Sequence, residues 1–279
     1  MKPRRSLVDD ESVSEDALMG GRIVFFQPKV GYRAAIDPVI LAACVAARPG
    51  DRVLDVGCGA GAAALCLIHR VPGADVTGLE IAPDLAALAR KNARANGFEE
   101  GFKVMEGDLL DPPRPCEPAS FNHVMANPPY QELKKGHPPP DPGKSRANVE
   151  GEARLADWID FCLSRTRPKG AVTLIHRADR LGEILAAVQG RLGGLVVFPL
   201  WPGPMGSDKA AKRVVVTGRK GLSSPFTLAP GLVLHGPEGG FTAEADAVLR
   251  HGEALDFPSL NRRGGALAHG AGVVPLTTP

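Results

Sequence analysis

The segment from residue 51 to residue 70 constrains the fold of this chain more than any other part of the sequence. The apolar run 51–56 leads into Asp-Val-Gly-Cys-Gly-Ala-Gly at 55–61, and the apolar run 62–70 that follows has the composition of a helix. A strand, a glycine turn and a helix in this order begin a doubly wound α/β sheet, and glycines let the backbone approach a ligand closely. The segment therefore predicts a parallel sheet with a ligand site at the carboxyl end of this strand.

The rest of the chain continues the alternation of strands and helices. The predicted strands are 51–56, 74–80, 103–106, 121–126, 171–175, 195–200 and 213–217, and the predicted helices are 39–48, 62–70, 83–96, 155–165 and 181–191. Ahead of them, 22–26 has strand character, and Asp37-Pro38 is typical of a helix N-cap followed by proline at the first helical position. This order predicts an α/β fold of Rossmann-like type, with a doubly wound seven-stranded, mostly parallel sheet and an antiparallel last strand.

Four polar residues, Asp55, Glu80, Asp108 and Asn127, stand at the ends of four successive predicted strands. In an open parallel sheet they would lie along one carboxyl edge, where ligands bind. Asp55, two residues before Gly57, suits the cationic methionine end of S-adenosylmethionine and would repel the pyrophosphate of NAD. Glu80 is placed to accept both ribose hydroxyls, and Asp108 can accept a hydrogen bond from the adenine amine. Each acid taken singly is typical of a helix cap or a loop charge, but together they predict an S-adenosylmethionine site.

The tetrapeptide Asn127-Pro128-Pro129-Tyr130 directly follows the predicted strand 121–126. The Asn127 side-chain carbonyl and the Pro128 backbone carbonyl can both accept hydrogen bonds from a planar NH2 group, which makes its weakly nucleophilic nitrogen more reactive. The two prolines stiffen the turn and remove competing N–H donors, and Tyr130 offers a face on which a base could stack. Asn-Pro-Pro also occurs in ordinary turns and loops, but at this strand end it indicates methylation of an amino nitrogen.

Taken together, these motifs resemble a known family. The series DVGCGAG, LE, GDLLD and NPPY is similar to the amino-group branch of the class I S-adenosylmethionine-dependent methyltransferases. FQPKVGYRAAIDPVILAA at 26–43 and KRVVVTGRKG at 212–221 resemble the bacterial tRNA (adenine-N6)-methyltransferases, which modify the adenine beside the anticodon of a valine tRNA. The resemblance implies that 127–130 is the catalytic loop. The implied cofactor-binding residues are Asp55, Gly57, Gly59, Gly61, Glu80, Ile81, Asp108, Leu109 and Asn127.

Basic residues near the predicted site are candidates for contacts with tRNA, although the net charge of the chain is only +2. Residues 131–149 directly follow the catalytic loop and are rich in proline, so they would lie where an RNA backbone passes. The candidate contacts are Arg33, Lys134, Lys135, Lys144, Arg146, Lys209, Lys212 and Arg213. Charge runs are also typical of solvated surface, so it is their position that indicates RNA binding.

Three other functions are compatible with parts of this pattern. The same catalytic loop serves methyltransferases that act on a glutamine amide of release factors, but those carry a long helical domain ahead of the cofactor motif, and only 54 residues precede Asp55 here. Methylation of guanine N2 in rRNA also stays open. A non-catalytic RNA-binding module with this fold would be expected to have lost some of the acids or Asn127, and a dehydrogenase would leave the tetrapeptide unexplained.

Composition predicts one domain with extensions. We expect a flexible segment at 1–20, a methyltransferase domain at 21–235 and a partly flexible extension at 236–279. The five cysteines lack CxxC spacing, which favours reduced thiols in a cytoplasmic protein without a metal site. No window approaches about 20 uninterrupted apolar residues, so no membrane span is expected, and the basic start lacks the apolar stretch of a signal peptide. The sequence leaves the oligomeric state open.

Overall fold

The computed structural model describes residues 12–30, 33–114, 116–130, 153–204, 209–255 and 257. Its central sheet is formed by β3 (Arg52–Val56), β4 (Asp75–Glu80), β5 (Phe102–Glu106), β6 (Phe121–Ala126), β7 (Thr166–Arg177), β8 (Leu192–Trp201), β9 (Arg213–Lys220), β10 (Thr227–Leu228) and β11 (Leu232–Val233). The helices are α1 (Ile36–Cys44), α2 (Ala62–Arg70), α3 (Pro83–Ala95), α4 (Leu155–Arg165), α5 (Leu181–Val188) and α6 (Ala243–His251). A separate antiparallel hairpin pairs β1 (Val13–Leu18) with β2 (Ile23–Pro28).

The sheet has the doubly wound order that the sequence predicts. Its seven main strands lie in the order β8-β9-β7-β6-β3-β4-β5, and the short strands β10 and β11 both pair with β8. Neighbours from β7 to β5 are parallel, whereas β9 runs antiparallel to both β7 and β8. The prediction of a mostly parallel sheet with an antiparallel last strand is therefore confirmed. The chain reverses its direction of winding between β3 and β6, which is where such sheets bind ligands.

The central strands are apolar on both faces because helices cover both sides of the sheet. Successive side chains of a strand point to opposite faces, and Val53 and Leu54 of β3, both fully buried, pack into two different core clusters. α1, α2 and α6 contribute to one cluster, and α4 and α5 contribute to the other. The result is a three-layer α/β/α domain whose carboxyl sheet edge is free to carry a site.

The hairpin differs from the flexible segment expected at 1–20, because residues 13–18 form β1. This strand is difficult to predict from its sequence, since only Val13 is buried and the pattern lacks a regular apolar alternation. Two asparagine side chains hold β2 in place. The amide of Asn92, in α3, hydrogen-bonds the backbone N–H and C=O of Phe26, and the amide of Asn96, directly after α3, hydrogen-bonds the backbone N–H and C=O of Val24. The two amides make the hydrogen bonds that a neighbouring strand would otherwise make with β2. The position of the hairpin therefore depends on tertiary contacts.

The segment after residue 236, expected to be partly flexible, contains the folded helix α6. Thr242 caps the helix by accepting a hydrogen bond from the Ala245 N–H. The buried side chains of Ala245, Val248 and Leu249 join the same core cluster as α1. None of the helices within the described ranges has the length and apolar character needed to cross a bilayer. All five cysteines are buried and free of disulfide bonds.

Candidate active site

The glycine turn after β3 is tied to the neighbouring strand and is open on one side. The N–H groups of Gly57 and Cys58 both donate to the Leu79 carbonyl of β4, at 2.8 and 3.0 Å. Gly57 has a φ of +67°, and a Cβ on it would lie 2.4 Å from Cη2 of Trp158 in α4. Gly59 has a φ of +57°, but a Cβ there would meet nothing within 4 Å. Gly57 is thus required by packing, whereas Gly59 faces open space into which a ligand can approach the backbone.

We expect Gly57→Ala to destabilise the protein and to weaken cofactor binding. The positive φ costs about 1–2 kcal/mol for a residue with a Cβ, and displacing Trp158 adds about 1–3 kcal/mol of overpacking. Gly50→Ala is the matched control, because Gly50 has a φ of +82° and no atom within 4 Å of its Cβ position. Denaturant unfolding should show the larger loss of stability for Gly57→Ala, and equal losses would refute the contact with Trp158 as the cause.

Asp55 lies near the end of β3 as a buried carboxyl group whose hydrogen bonding is incomplete. It accepts a hydrogen bond from the Ala64 N–H in the first turn of α2, while its Oδ2 has no partner within the described residues. Burial, with a contribution from the nearby Glu80 carboxylate, raises the pKa of Asp55 to about 8. A buried acid in this condition is suited to bind a cation, because a positive charge would compensate the cost of ionising it. This fits the cationic methionine end of S-adenosylmethionine.

Glu80, at the end of β4, links the glycine turn to the start of α3. Its Oε2 accepts a hydrogen bond from Gly59 N–H and its Oε1 one from Ala82 N–H, both at 2.8 Å. Each carboxylate oxygen has a second lone pair, so the group can still accept two ribose hydroxyls. Next to it, the apolar side chain of Ile81 is 64% exposed, which fits a contact with the face of an adenine ring. The residues at this edge therefore fit the cofactor predicted from the sequence.

Asp108, the third acid, follows β5 as the sequence predicts, but the neighbouring residue predicted to contact the cofactor is partly buried. Asp108 follows β5, and its Oδ1 accepts a hydrogen bond from Leu110 N–H at 2.9 Å. Leu109, predicted to contact the cofactor, packs against the core cluster that contains α4 and α5. Leu110 is the exposed member of the pair, at 49%, so it is the better candidate for an apolar contact beside Asp108. In the described part of the chain, no group of three or more His, Cys, Asp or Glu side chains could hold a metal ion.

The tetrapeptide 127–130 follows β6, the strand beside β3. Ala126 pairs with Val56 in the sheet, so Asn127 emerges beside the glycine turn that begins at Gly57. The sequence predicts this proximity of the cofactor and acceptor motifs, which are separated by about 70 residues. The Pro129 carbonyl lies 3.2 Å from Nε2 of His176, at the end of β7. The loop is thereby attached to the second parallel neighbour of β6.

His176 supports the loop from inside the protein. Although it stands at the end of a strand, its side chain is fully buried. Since the Pro129 carbonyl can only accept, Nε2 must donate, which defines the neutral tautomer. Burial, together with the cations Arg180 and Arg213, lowers the pKa of His176 to about 4. The imidazole is therefore neutral at physiological pH and acts as a hydrogen-bond donor beneath the loop.

Tyr130 is held by residues from two other elements. Its hydroxyl oxygen lies 2.6 Å from Oδ2 of Asp37 and 2.6 Å from Oδ1 of Asn127. The Arg213 guanidinium lies 4.4 Å from the centre of the Tyr130 ring and donates to the same Asp37 oxygen at 2.9 Å. The His176 ring meets the Tyr130 ring edge-on at 5.3 Å. Arg213 thus covers one face of the ring, so only the opposite face can stack on a base.

Asp37 has a different role from the one its sequence predicts. The helix begins at Ile36 with Ala35 as N-cap, and no side chain caps it, so the prediction of Asp37 as an Asx N-cap is wrong. Its carboxylate is only 13% exposed and faces Tyr130 and Arg213. The sequence signal for this role is weak, because an Asp before a proline is so often a cap.

The other candidate RNA contacts have varied surroundings. Arg33 forms an ion pair with Asp16 at 2.8 Å and also bonds Ser14 and the Pro28 carbonyl, so it joins the hairpin to the segment before α1. Lys209 is exposed and Lys212 directly precedes β9. The remaining candidates lie outside the described residues: Lys134, Lys135, Lys144 and Arg146.

The chain is similar to known methyltransferases in both sequence and structure. Residues 31–138 match the sequence pattern of the family described as Methyltransferase small domain. A tRNA1(Val) (adenine(37)-N6)-methyltransferase of Porphyromonas gingivalis is 30% identical over 234 residues, which are 78% of this chain and 87% of the relative. A release factor glutamine methyltransferase of Deinococcus radiodurans is 43% identical over 79 residues, 28% of this chain and 26% of the relative.

Among solved structures, a predicted O-methyltransferase of Agrobacterium tumefaciens superposes with a TM-score of 0.65 at 28% identity, over 78% of this chain and 97% of the other. The doubly wound sheet, the fit of its carboxyl edge to S-adenosylmethionine and the extent of these similarities all indicate the same family. The protein is an enzyme that uses S-adenosylmethionine, and the chain belongs to the family of the tRNA1(Val) (adenine-N6)-methyltransferases within the class I S-adenosylmethionine-dependent methyltransferases.

Proposed function

We propose that this methyltransferase transfers a methyl group to N6 of an adenine in tRNA, the adenine beside the anticodon. The observation that carries the proposal is the extent of the similarity. It runs over 234 residues and 87% of a relative named for that reaction, whereas similarity to the glutamine methyltransferase covers 79 residues. A match over 28% of the chain supports a shared part of the fold, whereas a match over 78% of the chain supports a shared acceptor as well.

The geometry of the edge supports transfer to a planar amine. S-adenosylmethionine supplies a methyl group on a positively charged sulfur. Glu80 holds the glycine turn by accepting from Gly59 N–H, and Asp55 provides the buried carboxylate for the cofactor's cationic end. In this proposal the side-chain carbonyl of Asn127 and the backbone carbonyl of Pro128 are the two acceptors for the NH2 group. The protein's contribution is orientation and hydrogen bonding, since no strong base is needed.

An adenine in an anticodon loop can reach this site because it is not locked in a duplex, so turning it outward costs little. The open face of Tyr130 can then receive the base. Lys209 and Lys212, just before β9, lie close in sequence to Arg213 beside Tyr130. We propose them as contacts to the phosphate backbone.

Replacing Lys209 and Lys212 together by Ala should raise the KM for tRNA and reduce the slope of log KM against log salt. The slope should fall by up to about 2, roughly one unit for each phosphate group that the enzyme no longer binds. Affinity for the cofactor should not change. Lys103→Ala is the control, because Lys103 is exposed on the edge strand β5. An unchanged salt dependence in the double variant would place the phosphate contacts elsewhere.

The substrate class is tested by incubating the enzyme with methyl-labelled cofactor and separate pools of tRNA, rRNA and release factor. We expect label in tRNA. Label confined to release factor would establish the glutamine amide as acceptor, and label in rRNA would favour guanine N2.

A further inference from the structure

Strand β7 extends beyond its neighbour β6 at the carboxyl edge of the sheet. β6 ends at Ala126, which pairs with Leu174, whereas β7 continues to Arg177. The loop that follows β6 therefore runs beside the last residues of β7. Within this extension His176 contacts the loop, since its Nε2 lies 3.2 Å from the Pro129 carbonyl oxygen. One side chain of β7 is thus hydrogen-bonded to the backbone of the catalytic loop.

The hydrogen bond starts from a donor inside the protein. Side chains two residues apart on a strand point to the same face, and Val172 and Leu174 belong to the core cluster that contains α4 and α5. His176 continues this face and is fully buried. Water does not compete for such a donor, so the hydrogen bond is stronger than one in solvent. If the donor is removed, the Pro129 carbonyl has to find another partner or move.

The Pro129 carbonyl is one peptide unit away from the Pro128 carbonyl, which is an acceptor for the NH2 group in the proposed function. The ring of Pro129 fixes its φ at about −65°, and the peptide bonds on both sides are planar. Only ψ of Pro129 is then left to set the direction of one carbonyl relative to the other. His176 removes this freedom by holding the second carbonyl. The ring and the hydrogen bond together determine where the Pro128 carbonyl points.

The donor does not change its state near neutral pH. Burial lowers the pKa of His176 to about 4, and the cations Arg180 and Arg213 add to this effect. The neutral imidazole has two tautomers, and only the one with its proton on Nε2 can donate to the Pro129 carbonyl. A general base, by contrast, has to gain and lose a proton near the working pH.

We infer that His176 is a positioning residue for catalysis, which acts through the Pro129 carbonyl to hold the acceptor groups of the loop in place. The same ring meets the Tyr130 ring edge-on at 5.3 Å, so it supports two consecutive residues of the loop. Holding reacting groups from a buried, rigid element is the condition for a preorganised site. This inference rests on the proposed function only in requiring an NH2 group as acceptor, which an adenine and a glutamine amide both provide.

The test compares His176→Phe with His176→Gln, on the acceptor that the wild-type enzyme methylates. Phenylalanine keeps a ring of similar size but has no N–H group, so the Pro129 carbonyl is released. We expect kcat to fall on the order of 10- to 100-fold, with affinity for S-adenosylmethionine within about twofold of wild type. Glutamine should recover most of kcat, because its amide nitrogen is as many bonds from the backbone as Nε2 of histidine.

His123→Phe is the matched control. The His123 side chain is only 14% exposed, and its Nε2 lies 3.4 Å from the Asp51 carboxylate, but it belongs to the amino half of β6, away from the loop. His123→Phe should lower the free energy of unfolding and leave kcat unchanged. Wild-type kcat in His176→Phe, or a loss in His176→Gln or His123→Phe as large as in His176→Phe, would overturn the inference.

A second measurement uses the free wild-type enzyme. The signals of His176 in a 15N spectrum of the histidine rings are identified by their loss in His176→Gln. Nε2 should carry the proton, and Nδ1 should carry none, from about pH 5 to about pH 9. If His176→Phe does not fold, this spectrum decides alone.

The two proposals fail separately in these experiments. A proton on Nδ1 of His176 in place of Nε2 would overturn the positioning role even if tRNA were methylated. Absence of tRNA methylation, with the proton on Nε2 and the expected loss of kcat on another acceptor, would overturn only the proposed function.

Discussion

Asn127→Ala is expected to reduce methyl transfer by a factor on the order of 10²–10³ or more, because it removes an acceptor that acts on the reacting nitrogen itself. The cofactor should still bind with nearly wild-type affinity, since most of the residues that fit its pocket belong to β3, β4 and β5 and the turns after them. The Pro128 carbonyl would stay in place, but one acceptor cannot orient both protons of an NH2 group.

The measurement is single-turnover transfer from labelled cofactor, with cofactor affinity determined separately by calorimetry. Asn127→Gln is the informative companion, because it keeps the amide and displaces it by one methylene group. A displacement of about 1 Å costs on the order of 10²-fold in rate, so Asn127→Gln should also be nearly inactive. Wild-type turnover in Asn127→Ala would remove the tetrapeptide from the mechanism.

Asp55→Asn is expected to weaken cofactor binding on the order of 10²-fold, because it removes the partner of a buried cation. The same substitution should stabilise the free protein at alkaline pH. The pKa of Asp55 is about 8 in the folded state and 3.8 ordinarily, chiefly because of burial. The stability that the protonated group contributes is fully present below pH 3.8 and is lost as pH rises toward 8. Asparagine carries no charge and avoids this loss.

Unfolding by denaturant at about pH 4, 6 and 8 without cofactor tests the second effect. Wild type and Asp55→Asn should be similar at the lowest pH, and the variant should gain on the order of a few kcal/mol at the highest. Asp75→Asn serves as control, since the Asp75 side chain is 57% exposed. A constant difference across this range would show that Asp55 does not titrate as its burial implies. Because ionised Asp55 favours the cationic cofactor, wild-type affinity should also rise with pH up to about 8.

The parts of the site that follow from local chemistry could be predicted from the sequence. Gly57 and Gly59 indicate a turn with positive φ. The acids Asp55, Glu80 and Asp108 lie at the ends of strands, and the alternation of predicted strands and helices is enough to locate those ends. The bounds 62–70, 121–126 and 155–165 agree with the structure, because these elements have a clear apolar pattern and each has glycine or a polar residue next to at least one end.

The parts that depend on distant partners could not be predicted in this way. Asp37, Tyr130 and Arg213 come from α1, the loop after β6, and β9, and they meet because β7 lies between β6 and β9 in the sheet. No spacing in the sequence predicts that these three side chains are in contact. The same holds for His176, since a histidine at a strand end has no local sign of burial. Arg213 is predicted from the sequence as an RNA contact, and the structure shows it covering Tyr130.

The hairpin could not be predicted for a related reason. Its strand β2 is completed by the side chains of Asn92 and Asn96, which have the sequence character of ordinary polar positions on a surface helix. Asn92 is in fact fully buried, and its amide also donates to the Ala60 carbonyl in the glycine turn. The first strand pair and the cofactor turn are therefore linked through one side chain.

The most direct test of the proposed function identifies the methylated atom. tRNA isolated from cells that lack the gene for this protein would be incubated with the purified enzyme and S-adenosylmethionine, digested to nucleosides and analysed by mass spectrometry, with the modified fragment sequenced. We expect N6-methyladenosine at the position beside the anticodon, and we expect it to be absent when Asn127→Ala replaces the wild-type enzyme. Methylation of a guanine, or of a glutamine in release factor without any change in tRNA, would contradict it.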